Sequence, residues 1–145
     1  MHWKATVVAG WYPVSIQRLD AERIKMSESN KAVLLNANSA IDSGDNEGFL
    51  SFCTDDIEWT AVGEITLKGK EAVREWMATA YSTPPEYTVD DLVAEGDFVV
   101  ALGYIMVKND KGQPIRHAFS DVWRLREGKL AKLRAFVVKP QVNEL

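Results

Sequence analysis

The residues G-D-N-E-G-F-L-S-F-C-T-D-D-I-E-W-T-A-V-G (44–63), followed after a spacer by G-K-E-A-V-R-E-W (69–76), decide the fold. Asp45 can cap a short amphipathic helix whose buried face is Phe49, Leu50, Phe52 and Cys53. The acidic pair Asp55 and Asp56 breaks that helix. Ile57 to Ala61 then reads as a strand, and Gly69 closes a turn. Lys70 to Tyr81 reads as a helix, with Val73, Trp76, Met77 and Ala80 at i, i+3, i+4 and i+7.

Upstream, Asn30 to Asp42 has helical spacing of Val33, Leu34, Ala37, Ala40 and Ile41, with Ser29 as a cap and Gly44 as the stop. Downstream, Pro84-Pro85 ends the third helix, and the rest reads as strand. Tyr87 to Ala94, Phe98 to Val107, Ile115 to Leu125 and Leu130 to Val138 are joined by short turns, so neighbours run antiparallel. The class is α+β: three N-terminal helices packed on a curved mixed or antiparallel sheet, a cone enclosing one apolar pocket.

The 145-residue chain is long enough for one domain with a real core. Its net charge of −4, without a basic cluster, argues against nucleic acid as a partner. No apolar run reaches the ~20 residues of a membrane span. A single Cys excludes an intrachain disulfide and a Cys-based zinc site, and fits a cytoplasmic protein. Asp55, Asp56 and Glu58 have no His nearby, so no metal site is expected, and no cofactor. Gly63 to Lys70 has the wrong spacing for a phosphate loop. Met26-Ser-Glu-Ser-Asn reads as an ordinary protein start, which divides residues 1–25, an N-terminal extension, from a domain over 26–145. The extension lacks the pattern of a secretory signal. If it is part of the protein, Trp3, Trp11 and Tyr12 should dock somewhere.

Period-two parity sorts the strand residues. Ile115, His117, Phe119, Asp121, Trp123 and Leu125 share one face, which is apolar except for His117 and Asp121. A turn centred on Gly128 pairs Asp121 with Ala135 and Phe119 with Val137, and places Ala131, Leu133, Ala135 and Val137 inward. Phe98 to Val107 is apolar at every position, so it should be covered on both faces. Helices cover one face, and a second copy is expected on the other, a homodimer through the outer sheet face.

Residues from about Ser29 to Val138 resemble the SnoaL-like, ketosteroid-isomerase-like branch of the NTF2-like superfamily. The resemblance rests on the 44–76 stretch and on S-D-V-W-R-L-R-E-G-K-L-A-K-L-R-A-F (120–136). It implies the cone fold, but fixes no activity, because that fold hosts isomerases, cyclases, hydrolases and non-enzymatic binders. Ketosteroid isomerases use a carboxylate base and an oxyanion hole made by a Tyr and a protonated Asp. Asp121 falls at the family's protonated Asp. Thr60 stands at the base and Ala37 at the Tyr, so steroid isomerisation is not expected. The last-strand Asp of SnoaL-type cyclases, which the limonene-epoxide-hydrolase pattern also needs, is absent from Arg134 to Val138.

The candidate catalytic pair is therefore Asp121, as hydrogen-bond donor to a developing oxyanion, and His117, as base. Four strand residues separate them by about 13 Å, so they could bracket a ligand but not touch. The bland readings are a hydrogen-bonded His117 at the sheet rim and a structural Asp121 satisfied by backbone or by Tyr104. Candidate ligand-lining residues are Trp59, Thr60, Tyr104, Met106, Phe119, Leu133, Ala135 and Val137, with parity leaving Trp59 and Thr60 undecided. The expected ligand is small, apolar or aromatic, and the reaction proton transfer beside a carbonyl. The alternative is a non-catalytic binder or a dimeric scaffold.

Overall fold

The computed structural model describes residues 14–141. Three helices and six strands follow in the order α1 (Val14–Asp42), α2 (Asn46–Ser51), β1 (Cys53–Ala61), β2 (Ile65–Lys68), α3 (Lys70–Ala80), β3 (Tyr87–Glu95), β4 (Phe98–Lys108), β5 (Pro114–Arg126) and β6 (Lys129–Val138). The strands form one sheet in the order β2-β1-β6-β5-β4-β3. All neighbours are antiparallel except β1 and β6, which run parallel. The sheet is thus mixed, and the third helix follows two strands instead of preceding the sheet.

Helix α1 buries Ser27, Asn30, Leu34, Ala37 and Ile41, a stripe at helical spacing. The Asn30 side chain donates to the Gly96 carbonyl at 3.1 Å and so ties the helix to the β3–β4 turn. The helix does not start at Ser29; it runs unbroken through Met26 from Val14, so Ser29 is interior and caps nothing. Residues 16–26 are all exposed, Ile16, Leu19, Ile24 and Met26 among them, which is why no apolar stripe announced this part of the helix. Trp3, Trp11 and Tyr12 lie outside the described residues.

Asp45 caps α2 as expected, accepting from the Gly48 N–H at 2.8 Å. Cys53 does not lie on that helix; it opens β1, though it is fully buried. The spacer 64–68 holds the short edge strand β2, with Leu67 opposite Trp59. The β5–β6 turn is the two residues Glu127 and Gly128, both at positive φ (51° and 74°), the geometry that matches strand twist in a tight hairpin. A bulge beside it shifts register between Arg124 and Leu125. That shift turns the even-numbered Leu130 inward opposite Leu125, where simple alternation had put Ala131.

A second bulge, between Val89 and Asp91, curls β3 over β4. Here Gly103 is required, because a Cβ would lie 1.8 Å from the Thr88 carbonyl oxygen. The core gathers between helices and sheet at one end of the curved face. Phe49, Leu50, Ile57, Val73, Met77, Val99, Leu130 and Leu133 are essentially without solvent contact there.

Candidate functional site

The inner face of β5 keeps its predicted parity from end to end. His117, Phe119, Trp123 and Leu125 are buried, and Asp121 lies between them with part of its surface still accessible. The cross-strand neighbours of Asp121 are Ala101 on β4 and Ala135 on β6, the expected Ala135 pairing included. Both are small, so no side chain reaches across the carboxyl from the adjacent strands. Protein surrounds the carboxyl on most sides, and that burial pushes its pKa up to about 7. It has no hydrogen-bond partner among the described residues. Tyr104 cannot satisfy it, since Tyr104 pairs with Ala118 and points to the other side of the sheet.

Two tyrosines share this end of the cone. Tyr81 caps the C-terminus of α3, and its ring packs on Trp76 with centroids 5.0 Å apart and on Trp59 at 6.5 Å. Burial first, and then the charge of Asp121, raise the pKa of its hydroxyl. Tyr87 opens β3 opposite Ile105, and its hydroxyl donates to the Asn38 carbonyl at 3.4 Å. Its pKa is also raised, by burial and then by Asp42, with smaller contributions from Tyr81 and Asp121. Both tyrosines were legible only in part. Tyr87 has inward parity with Val89, and Tyr81 continues the apolar face of α3 four residues after Met77.

His117 is buried, and its Nδ1 lies 2.9 Å from the Ile115 carbonyl oxygen of its own strand. A carbonyl can only accept, so Nδ1 carries the proton and a neutral ring keeps its lone pair on Nε2. The histidine sits opposite Ile105, four pairs along β5 from Asp121.

The remaining candidates divide by face. Trp59, Phe119, Leu133 and Ala135 lie inward, with Leu133 opposite Trp59. Val137 shares their face opposite Phe119 but is 48% exposed at the open end. Thr60 faces outward, its hydroxyl 3.0 Å from that of Thr66. Tyr104 and Met106 are corrected as well. They stand on the outer face, 36% and 37% exposed, because β4 turns its small residues Ala101 and Gly103 toward the helices. Arg116 stacks on the Tyr104 ring there, 3.5 Å from its centroid.

The deeper interior is filled. The Trp59 ring touches Phe49 at 5.9 Å, Trp76 at 5.4 Å and Trp123 at 5.8 Å. Two surface depressions, of about 510 and 790 Å³, lie elsewhere. One is bordered by Arg23, Val93 and Phe98; the other by charged residues of the outer face such as Asp97, Arg124 and Lys132. Neither includes His117 or Asp121. Asp121 itself is half-buried on the inner face of β5. No described helix is long and apolar enough to cross a membrane, and among the described residues no three His, Cys, Asp or Glu side chains cluster as metal ligands.

The SnoaL-like domain family profile matches residues 35–133. No curated protein matches the chain in sequence. Solved structures share the fold at low identity. The epoxide hydrolase/cyclase-like enzyme SalBIII, with a role in pyran ring formation in the polyether salinomycin, is 20% identical; the match covers 76% of this chain and 91% of that one, with a TM-score of 0.69. TerC, crystallised with polyporic acid, is 22% identical over 80% and 95% of the two chains, with a TM-score of 0.67. An NTF2-like protein from Burkholderia xenovorans LB400 is 22% identical over 77% and 90%, with a TM-score of 0.66.

Proposed function

The chain belongs to the SnoaL-like domain family, and from that premise we propose that it binds a small, mostly apolar or aromatic molecule at Asp121 and moves a proton beside a carbonyl of that molecule. The observation that carries this reading is the Asp121 carboxyl, half-buried on an apolar face, without a hydrogen-bond partner among the described residues and with its pKa raised by burial to about 7. A polar group so placed costs free energy unless something pairs with it, and a ligand oxygen is the natural partner. In its neutral form the acid donates a hydrogen bond to an oxygen that gains negative charge. His117, whose Nδ1 lies against the Ile115 carbonyl oxygen, is the base proposed on the same face. SalBIII and TerC give the reading precedent within the fold, one as a cyclase-like enzyme and the other as a binder of polyporic acid.

A second reading is a dimeric scaffold without chemistry. The aromatic packing around Trp59 favours it, since it fills the depth of the cone. A thermal-shift screen of polycyclic ketones, phenols and terpenoid epoxides at pH 6 and pH 8.5 separates the two. Stabilisation that disappears in Asp121→Leu supports the ligand site. No stabilisation by any compound leaves the scaffold.

Both readings include a homodimer through the outer face. Val93, Phe98, Leu102, Tyr104, Met106 and Val138 are exposed across β3 to β6. Four strands about 4.8 Å apart and some ten residues long make a face of roughly 600 Å², close to the ~800 Å² that each partner of a standard interface buries. Leu102→Glu is expected to convert a dimer to a folded monomer in light scattering. An unchanged mass would remove this face as the interface.

A further inference from the structure

Helix α1 outruns the sheet it packs on. Ser27 is its first buried residue among those described, and the Asn30 side chain ties the helix to the Gly96 carbonyl in the β3–β4 turn at 3.1 Å. Residues 16–26 therefore project past the end of the sheet, every one of them exposed. At ~1.5 Å per residue they form an arm about 16 Å long. We propose that this arm is part of the dimer interface, covered by a second copy of the chain. The inference rests on the outer-face dimer proposed above and adds to it a second element and the residues that carry it.

Three observations converge. First, the arm is apolar on one side. Ile16, Leu19 and Met26 fall, with Arg23, at spacings of three and four that run on into Asn30 and Leu34, the side of α1 that meets the sheet. Past the β3–β4 turn that side has no sheet beneath it, and the three apolar residues are 40%, 59% and 45% exposed. Second, the arm and the outer sheet face are one surface. Arg23 borders a depression of about 510 Å³ together with Val93, Phe98 and Val100, at the corner of the outer face where β3 turns into β4. Apolar residues joined in this way form a patch, whereas single ones need no partner. Third, the arm supplies missing area. The outer face alone offers roughly 600 Å², against the ~800 Å² that each partner of a standard interface buries. An arm about 16 Å long and ~11 Å wide adds roughly 180 Å².

The charges select a second copy over other occupants. The arm carries Arg18, Arg23 and Lys25 beside Asp20 and Glu22, and the depression holds Glu95 as well as Arg23. A lipid surface calls for a polar face rich in cations, which this mixed set is not. Two-fold symmetry brings each patch against its own copy, so a patch that holds both signs can offer each charge its opposite.

The test follows dimer dissociation on dilution by sedimentation velocity, with the full chain. Leu19→Glu puts a charge in the middle of the apolar side and is expected to raise the dissociation constant about tenfold. Ala21→Glu puts the same charge on the opposite side of the same helix and should leave the constant unchanged. Leu102→Glu reports on the sheet face. If Leu19→Glu dissociates like the parent while Leu102→Glu is monomeric, the arm falls and the outer-face dimer stands. If the parent is monomeric throughout, or Leu102→Glu dimerises like the parent, the outer-face dimer falls and the arm with it. If Ala21→Glu weakens the dimer as much as Leu19→Glu does, the effect belongs to charge and not to the apolar side, and the inference falls. Both arm positions are exposed, so neither substitution should disturb the fold of the monomer. Thermal unfolding in dilute solution checks this. A Leu19→Glu monomer that melts below the parent monomer would mean that the chain covers its own arm, which also overturns the inference.

Discussion

Asp121 and Trp123 stand two residues apart on the same face of β5 and meet opposite surroundings. Trp123 enters the closed end of the cone. Its ring lies 5.8 Å from Trp59 and 6.3 Å from Phe49, and Leu133 and Val99 lie opposite it on the neighbouring strands. Asp121 enters the open end, where its neighbours across the strands are alanines and its carboxyl has no hydrogen-bond partner among the described residues. The closed end is held by close aromatic packing, and the open end leaves a half-buried carboxyl without a hydrogen-bond partner among the described residues. Stability is concentrated in the first region, and the proposed ligand site lies in the second.

The largest effect that sharpens this contrast belongs to the closed end. Phe49 has no exposed surface and touches both Trp59 and Trp123. Phe49→Ala is expected to lose about 3–5 kcal/mol in urea unfolding, since the aromatic packing around it cannot collapse into the hole. A loss under about 1 kcal/mol would break the comparison, because it would mean the closed end is as loosely packed as the open end.

The same contrast marks how far the sequence could be read. Inward and outward were legible on β5, where apolar and polar residues alternate, and the Glu127-Gly128 turn carried that parity to Ala135. On β4 they were not. Every residue there is apolar, and side-chain size pointed the wrong way: the inside takes Ala101 and Gly103 because β3 curls close against them, while Tyr104 and Met106 go outside. The inward Leu130 was missed for a different reason, a single bulge at Ala131 that reverses parity on β6 before Lys132. Residues 16–26 of α1 bury nothing, so periodicity had nothing to report there. Depth is the quantity that alternation never carries. It distinguishes Asp121 from Trp123, and it depends on where α3 ends and which ring its last turn delivers, which is how Tyr81 comes to pack on Trp59 and Trp76.

The smaller effect lies at the open end and has the opposite sign. The Asp121 pKa is raised from 3.8 to about 7 in the folded protein, so between those values the folded state binds more protons than the unfolded chain. Stability contributed by this group is then fully present below about pH 4 and falls as pH rises through about 7. Three pKa units correspond to about 4 kcal/mol; the solvent that still reaches the side chain reduces this to roughly 2–4 kcal/mol. Asp121→Asn keeps the shape and removes the titration. It should therefore match the parent in urea unfolding near pH 4 and be the more stable protein at pH 8, with the gap opening in between. A parent as stable as Asp121→Asn at pH 8 would show that the carboxylate has found a partner, and the open end would then be as self-satisfied as the closed one. A ligand that pairs with Asp121 should close the same gap at pH 8 in proportion to its occupancy, since it supplies from outside the hydrogen bond that the chain withholds.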